Sequence, residues 1–577
     1  MNERRVAIAA GLGLFLVALV LRSVGLSYGL PAVYNPDEVA IMSRALSFAK
    51  GTLNPHNFLY PTFYFYVLFA WVGAYLAVLL VTGRIGSMAA ARDLYFTDPS
   101  GIYLAGRALS AVSGAVTVLA LHAFARRVTD GRAAAAAAVF LAVAPLHVRD
   151  SHYVKHDVFA TLLVVLALTA IVRVWPGPAA GRGSRRDALV AGAACGVAFS
   201  THYYCIFLAL PLSWAVIQAW RPFGLAAVAR HLAFAALASA ITFFALSPFI
   251  AVEPLTAWRD ITANREIVVD RAVAAGPFAP AVRYLALLWN DAVSRPIVAL
   301  AIVGAGWMLV KDWRRAVLLL AFPVSFFAFI TNTFPASRYL NPVLPFVVLF
   351  AGVALTALAT RLRAQAWMYW TAVLVFAAGP AVTSVRTDLF FRQTDTRTLA
   401  EQFIEQEIPP GSTVLVQPYS VPLTPSRESL VEALTRNVGS AEAASTKFQL
   451  QLGLDPYPSP AYRLIYLGRG GLDADKLYVD PTALSGAGGI ERLRQLGIAF
   501  VILKRYNNGD PELMPLLTAL SREGRRMAAF SPYRSDANEN QQERPEPFLH
   551  NTDARIDGAL ARPGPTVEIW QLHDPGS

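Results

Sequence analysis

Along the first 386 residues, apolar stretches alternate with short polar turns at a spacing suited to a chain that crosses a bilayer repeatedly. Runs at 6–26, 100–124, 133–148, 157–175, 188–204, 206–220, 231–250, 296–310, 315–332, 342–360 and 366–386 predict eleven membrane helices. The first run follows MNERR and no small-residue cleavage site follows it, so it reads as an uncleaved span. After Arg386 the pattern changes. Residues 387–577 are polar and rich in Pro and charge, with short strand-like runs at STVLVQ, YRLIYLG, IAFVILK and TVEIWQL. IERLRQLG predicts a helix ended by Gly497 and followed by a buried strand. The expected architecture is an all-α polytopic membrane domain over 1–386 and an α/β or α+β soluble domain over 387–577.

Loop charge orients these spans. With a cytoplasmic N-terminus, the basic turns ARRVTDGR (125–132), GRGSRRD (181–187), KDWRR (311–315) and RLR (361–363) all fall inside, and the soluble domain falls outside the cell membrane. This plan needs the apolar stretch 60–82 not to cross, leaving a large first outer loop over 27–99. The alternative is that 60–82 spans and one of the shorter runs does not. Composition agrees with a membrane protein: 55% of 577 residues are hydrophobic and 15% charged, too apolar for one soluble globule or a disordered chain. A net charge of +11 on such a chain reports cytoplasm-facing turns before it reports nucleic acid. Two cysteines, Cys195 and Cys205, exclude a disulfide framework and read as packing residues.

Unexplained polarity concentrates in the outer loops. In VYNPDEVAIMSRALSFAKG, Asn35 can cap a helix that starts at Pro36, with Asn35 and Glu38 spaced like a capping box. Val39, Met42, Leu46 and Ala49 form an apolar stripe, and Gly51 can end the helix, as in a helix lying on a membrane surface. Asp37 and Glu38 gain from the helix dipole, which also keeps a carboxylate ionised, as a general base requires. Adjacent helical residues point about 100° apart, so one of the pair faces any reacting group.

The second loop, RDSHYVKHD (149–157), crowds Arg149, His152, Lys155, His156 and Asp157 where few cations are expected, which suggests an anionic ligand or a self-neutralising turn. A zinc site from His152, His156 and Asp157 has helical spacing, but its last two ligands are adjacent. In FPASRYLNPVLPF, Arg338 and Tyr339 stand at the edge of a span, where an arginine needs a carboxylate, an anion or lipid headgroups as partner. His202 and Arg107 read as helix-packing residues, and DAD at 473–475 as a turn.

In this order, NPDE (35–38), LNPHNFLYPTFYFY (53–66), YLAGRALSAVSGAVTVL (103–119), APLHVRDSHYVKHDV (144–158), SRYLNPVLP (337–345) and DTRTLAEQFIEQEIPPGSTVLV (395–416) resemble a known family. It is that of the GT-C membrane glycosyltransferases of family 39, the protein O-mannosyltransferase and aminoarabinose-transferase superfamily. The resemblance implies an inverting transfer of a sugar from a polyprenyl-phosphate donor to a protein, lipid or glycan acceptor at the outer face of a bacterial inner membrane. It implies Asp37 as catalytic base with Glu38 as its partner or an acceptor-positioning group, and His152, Lys155, Asp157, Arg338 and Tyr339 on the donor side. No cofactor is certain; a metal is described for some relatives, but the residues here do not make a complete site, so a divalent metal stays open. Relatives often carry lysine where this chain has His202, so the resemblance assigns no phosphate or sugar contact there. Two other readings compete: a lipid-linked sugar transporter or flippase, and a polysaccharide polymerase or ligase using a polyprenyl diphosphate. A transporter favours inverted repeats and broken helices at mid-membrane, whereas these charges gather on one face.

Overall fold

The computed structural model describes residues 3–175, 183–266, 278–471, 473–484, 488–505, 513–535 and 556–573. Residues 181–182 of one basic turn lie outside them. The chain is an integral membrane protein built as an all-helical bundle followed by a mixed-sheet domain.

Among the described residues, eight helical stretches are long and apolar enough to cross a membrane. Seven coincide with expected runs, and the eighth is Phe63–Val81. The other four expected runs are also helical: Glu3–Ser23, Gly131–Ala142, Arg185–Phe199 and Arg295–Lys311, the last bent by 112° against Ala279–Ala292. Small residues let the helices approach backbone to backbone. A Cβ at Gly192 would collide with the Ala235 carbonyl, and one at Gly304 with the Phe350 carbonyl. These contacts join Arg185–Phe199 to Leu225–Leu246 and Arg295–Lys311 to Leu344–Arg361.

Helix Phe63–Val81 has an unusual setting. At its start the Thr62 amide donates to Ser247 Oγ (3.0 Å) and the Phe63 amide to the Ser200 carbonyl (3.0 Å), residues that directly follow Leu225–Leu246 and Arg185–Phe199. Further along, Trp71 Nε1 donates to the Ala105 carbonyl (2.9 Å) and the Tyr75 hydroxyl packs over Gly101. It therefore runs antiparallel to the first turns of Ser100–Val128, with its start against the ends of Arg185–Phe199 and Leu225–Leu246. From Ala105 the longer helix continues for about 34 Å.

The C-terminal region carries a six-stranded sheet of order β3-β2-β1-β4-β6-β5. Its strands are β1 (Thr413–Val416), β2 (Arg463–Leu467), β3 (Leu477–Val479), β4 (Phe500–Arg505), β5 (Gly524–Phe530) and β6 (Thr566–Leu572). β3, β2, β1 and β4 are parallel, while β6 and β5 add antiparallel. All four expected strands form. Their near-continuous apolar runs suit a sheet covered on both faces. Helix Gly489–Gln495 precedes β4, and Gly497 takes the left-handed conformation (φ 72°) that stops it. β3 and β5 were not expected: one has three residues, and GRRMAAF lacks alternation. DAD forms the turn before β3, tied by Tyr478 Oη donating to Asp473 (2.7 Å).

The helical bundle and the sheet region meet through the segment between Ser23 and Pro36. Tyr28 Oη donates to Asp395 Oδ2 (3.1 Å), Tyr34 Oη pairs with Thr398 Oγ1 (2.7 Å), and the Arg397 guanidinium lies 3.7 Å from the Tyr34 ring centroid.

Candidate active site

Asn35, extended before the helix, accepts the Asp37 amide N–H through Oδ1 (3.1 Å), and Pro36 opens helix Pro36–Leu46. The cap forms as expected, but the reciprocal half of the capping box does not, because the Glu38 side chain turns inward. It takes a bidentate pair from Arg107 (Nε and Nη2, both 2.8 Å) and the Val154 amide N–H (2.8 Å). The buried face of the helix is accordingly Glu38, Ile41, Met42 and Ala45 rather than the stripe through Val39 and Leu46. A carboxylate with three donors leads this face, so the helix rotates to bring it inside. Arg107, expected to be a packing residue, also donates to the Leu26 and Tyr28 carbonyls (2.6 Å each) and so fixes the segment that leads to Asp37.

Asp37, one position back, points the other way. Its Oδ2 receives Lys155 Nζ at 2.9 Å and Arg338 Nη1 at 3.1 Å. The Asp37 side chain keeps 34% exposure, against 3% for Lys155 and 13% for Arg338. Three segments separated by more than a hundred residues thus converge on one carboxylate oxygen. Two adjacent cations favour its ionised form. Burial lowers the Lys155 pKa from the ordinary lysine value, and the Asp37 charge opposes that.

A second layer holds the cations in place. Arg149 grips Asp150 (2.7 and 2.9 Å) and donates to Ser337 Oγ (2.8 Å). Asn341 Nδ2 donates to Asp150 Oδ2 (2.6 Å) and to the Arg338 carbonyl (3.0 Å), tying the turn that carries Arg338 to the loop that carries Lys155. Tyr339 is half-buried and stacks beside Arg338, whose Cζ lies 5.1 Å from the ring centroid.

Of the expected site residues, Asp37, Lys155 and Arg338 come together. His152 does not join them. Its ring nitrogens contact the Val148 (2.9 Å) and Val24 (2.8 Å) carbonyls, with Asp388 at 3.6 Å, so it braces the end of the first helix. The zinc set His152, His156 and Asp157 is therefore not assembled, because two carbonyls occupy the His152 ring. Asp157 instead gathers with His156 and His202, whose candidate ligand atoms lie within 4.8 Å of one another.

Sequence reasoning missed Arg22, which is fully buried and donates to the Ala142 (3.0 Å) and Leu141 (3.2 Å) carbonyls at the end of a membrane helix. An arginine inside an apolar run was the available signal.

The fold and this charged cluster define a polytopic membrane protein with an ion-paired carboxylate on one face of its bundle. Residues 103–251 match the family model of dolichyl-phosphate-mannose-protein mannosyltransferases, which bears out the glycosyltransferase resemblance carried by the motifs. The matched stretch holds Arg107, Lys155, Asp157 and His202 but neither Asp37 nor Arg338. No curated protein sequence matches the chain. Among solved structures, the chain is similar to ArnT from Cupriavidus metallidurans bound to undecaprenyl phosphate, at 14% identity and TM-score 0.48, covering 99% of this chain and 98% of that one. It is also similar to the oligosaccharyltransferase AglB from Archaeoglobus fulgidus, in complex with an inhibitory peptide and a dolichol-phosphate, at 11% identity and TM-score 0.45 over 87% and 70% of the two chains.

Proposed function

We propose that this protein is an inverting glycosyltransferase that moves a sugar from a polyprenyl-phosphate donor to an acceptor at the outer face of the membrane. The observation that carries the reading is the convergence of Lys155 and Arg338 on Asp37 Oδ2. In the reaction, an acceptor hydroxyl or amine bonds to the anomeric carbon as the bond from that carbon to the phosphate oxygen breaks. The bond's electron pair leaves with the phosphate, and the acceptor proton passes to Asp37. One displacement inverts the anomeric centre.

The same two cations serve both halves of this step. A departing phosphate adds negative charge where Lys155 and Arg338 already stand, and fixed charges at that point lower the barrier. With no donor bound, the cations hold Asp37 ionised and weakly basic. A phosphate drawing on them would raise the basicity of Asp37 only when the donor is in place. Glu38 and Arg107 act here as positioning residues, while Asp157 and Tyr339 border the donor side.

The topology follows the positive-inside reading, with the N-terminus in the cytoplasm and the soluble domain outside. The start of Phe63–Val81 meets the ends of two bundle helices and its middle meets the first turns of Ser100–Val128, which supports a helix that stays on the outer side rather than a crossing. A bacterial inner membrane suits this arrangement, with the soluble domain near the acceptor.

The test is transfer in lipid vesicles containing the purified full chain and polyprenyl phosphates that carry radiolabelled sugars. Sugar released from the lipid into an acceptor fraction, with inverted anomeric configuration, is the expected result. Movement of intact labelled lipid between leaflets without cleavage would instead support the transporter.

A further inference from the structure

Beside the Asp37 cluster lies a group of buried polar side chains, of which the proposed transfer uses Asp157 alone, as a residue bordering the donor side. His156 and Asp157 open helix His156–Val174, and His202 caps the short helix Tyr203–Leu208 in a different part of the bundle. None of the three is more than 9% exposed. Both ring nitrogens of His156, both carboxylate oxygens of Asp157 and Nε2 of His202 are buried without a hydrogen-bond partner.

Five orphaned polar atoms in one place are costly. A buried polar group without a partner costs roughly 1–3 kcal/mol, and an unpaired carboxylate more. Aromatic rings pack against both imidazoles: Tyr60 on His156 (centroids 4.2 Å apart) and Tyr204 on His202 (3.8 Å). One occupant would satisfy all three residues at once, a cation accepting lone pairs from two imidazoles and a carboxylate.

We infer that His156, Asp157 and His202 form a binding site for one divalent transition-metal ion, of which Zn²⁺ is the best fit, with an open position for an oxygen ligand. Two neutral imidazoles and one carboxylate are a donor set that such ions prefer to Mg²⁺ or Ca²⁺, which favour all-oxygen cages. Zinc bonds of about 2.0–2.2 Å bring tetrahedral donors to about 3.4 Å apart, so the widest pair closes by shifts of about 0.7 Å on each side. His202 Nδ1 receives only a long 3.4 Å contact from the Tyr204 amide, a weak bond whose loss frees the ring to carry its proton on Nδ1 and ligate through Nε2.

The site is tested by binding, independently of sugar transfer. The purified full chain in lipid nanodiscs is stripped with a chelator, then titrated with Zn²⁺ and, separately, with Co²⁺, and bound metal is counted by elemental analysis. The expected results are one equivalent of Zn²⁺ per chain and the visible absorption of four-coordinate Co²⁺. His202→Ala and Asp157→Asn should each weaken binding by about 100-fold or more while melting cooperatively. If one of them does not fold, the other decides. No stoichiometric metal on the wild-type chain, or an equivalent that persists with unchanged affinity in a folded variant, overturns the proposal. Sugar transfer by a chain that takes up no stoichiometric metal would leave the Asp37 reading standing while this site fails.

Discussion

Asp37 and Glu38 are chain neighbours with the same functional group, yet the structure puts them in opposite circumstances. Glu38 is sealed in the protein, with all its donors from fixed elements and the Arg107 guanidinium flat against it. Asp37 remains one-third exposed, held by two long cations that reach it from the cap of helix His156–Val174 and from the short helix Ser337–Val343. The difference is one of rigidity and access. The sealed pair fixes the helix and the segment before it, whereas the open triad has charges that can be shared with an incoming anion. A 100° step along one helical turn separates scaffold from site.

The largest effect should come from breaking the sealed side. Glu38→Ala leaves Arg107 buried and uncompensated, which costs about 3–5 kcal/mol, so the variant should melt much earlier in detergent and accumulate poorly in membranes. Unchanged melting would erase the contrast. On the open side, Arg338→Ala should leave melting nearly intact and raise the donor concentration needed for half-maximal transfer about 10- to 100-fold, since a charge-assisted hydrogen bond contributes about 1.5–3 kcal/mol. A variant whose acceptor dependence shifts instead would move Arg338 out of the phosphate role. The smallest effect belongs to the domain contact. Tyr34→Phe removes one hydrogen bond to Thr398 and should lower stability by about 0.5–1.5 kcal/mol, read by melting, with transfer per folded molecule unaffected.

Much of this was legible in the sequence because apolar runs and parallel strands write their burial directly into composition. The eleven expected helices and the strands around VLV, LIYL, FVIL and EIW all form. Lys155 and Arg338 stood out as charges beside spans, where charge needs a reason, and Asp37 as a carboxylate in the first turn of a surface helix. The rest depended on pairings across the chain. Nothing near Glu38 marks Arg107 as its partner, so local capping chemistry was the available reading and tertiary burial overrode it. His202 is 45 positions from Asp157, and only the packing of separate membrane helices brings the two rings and the carboxylate together. His152 has the right spacing for a ligand, but carbonyls at the ends of two helices take its ring.

The central claim is that the exposed carboxylate of this helical turn does the chemistry while its sealed neighbour holds it in place. Transfer by purified, reconstituted Asp37→Asn protein tests it most directly, with melting measured on the same sample. Loss of transfer by about 10²- to 10⁴-fold with unchanged melting is the result expected of a missing general base. Full transfer by a folded Asp37→Asn chain would contradict it.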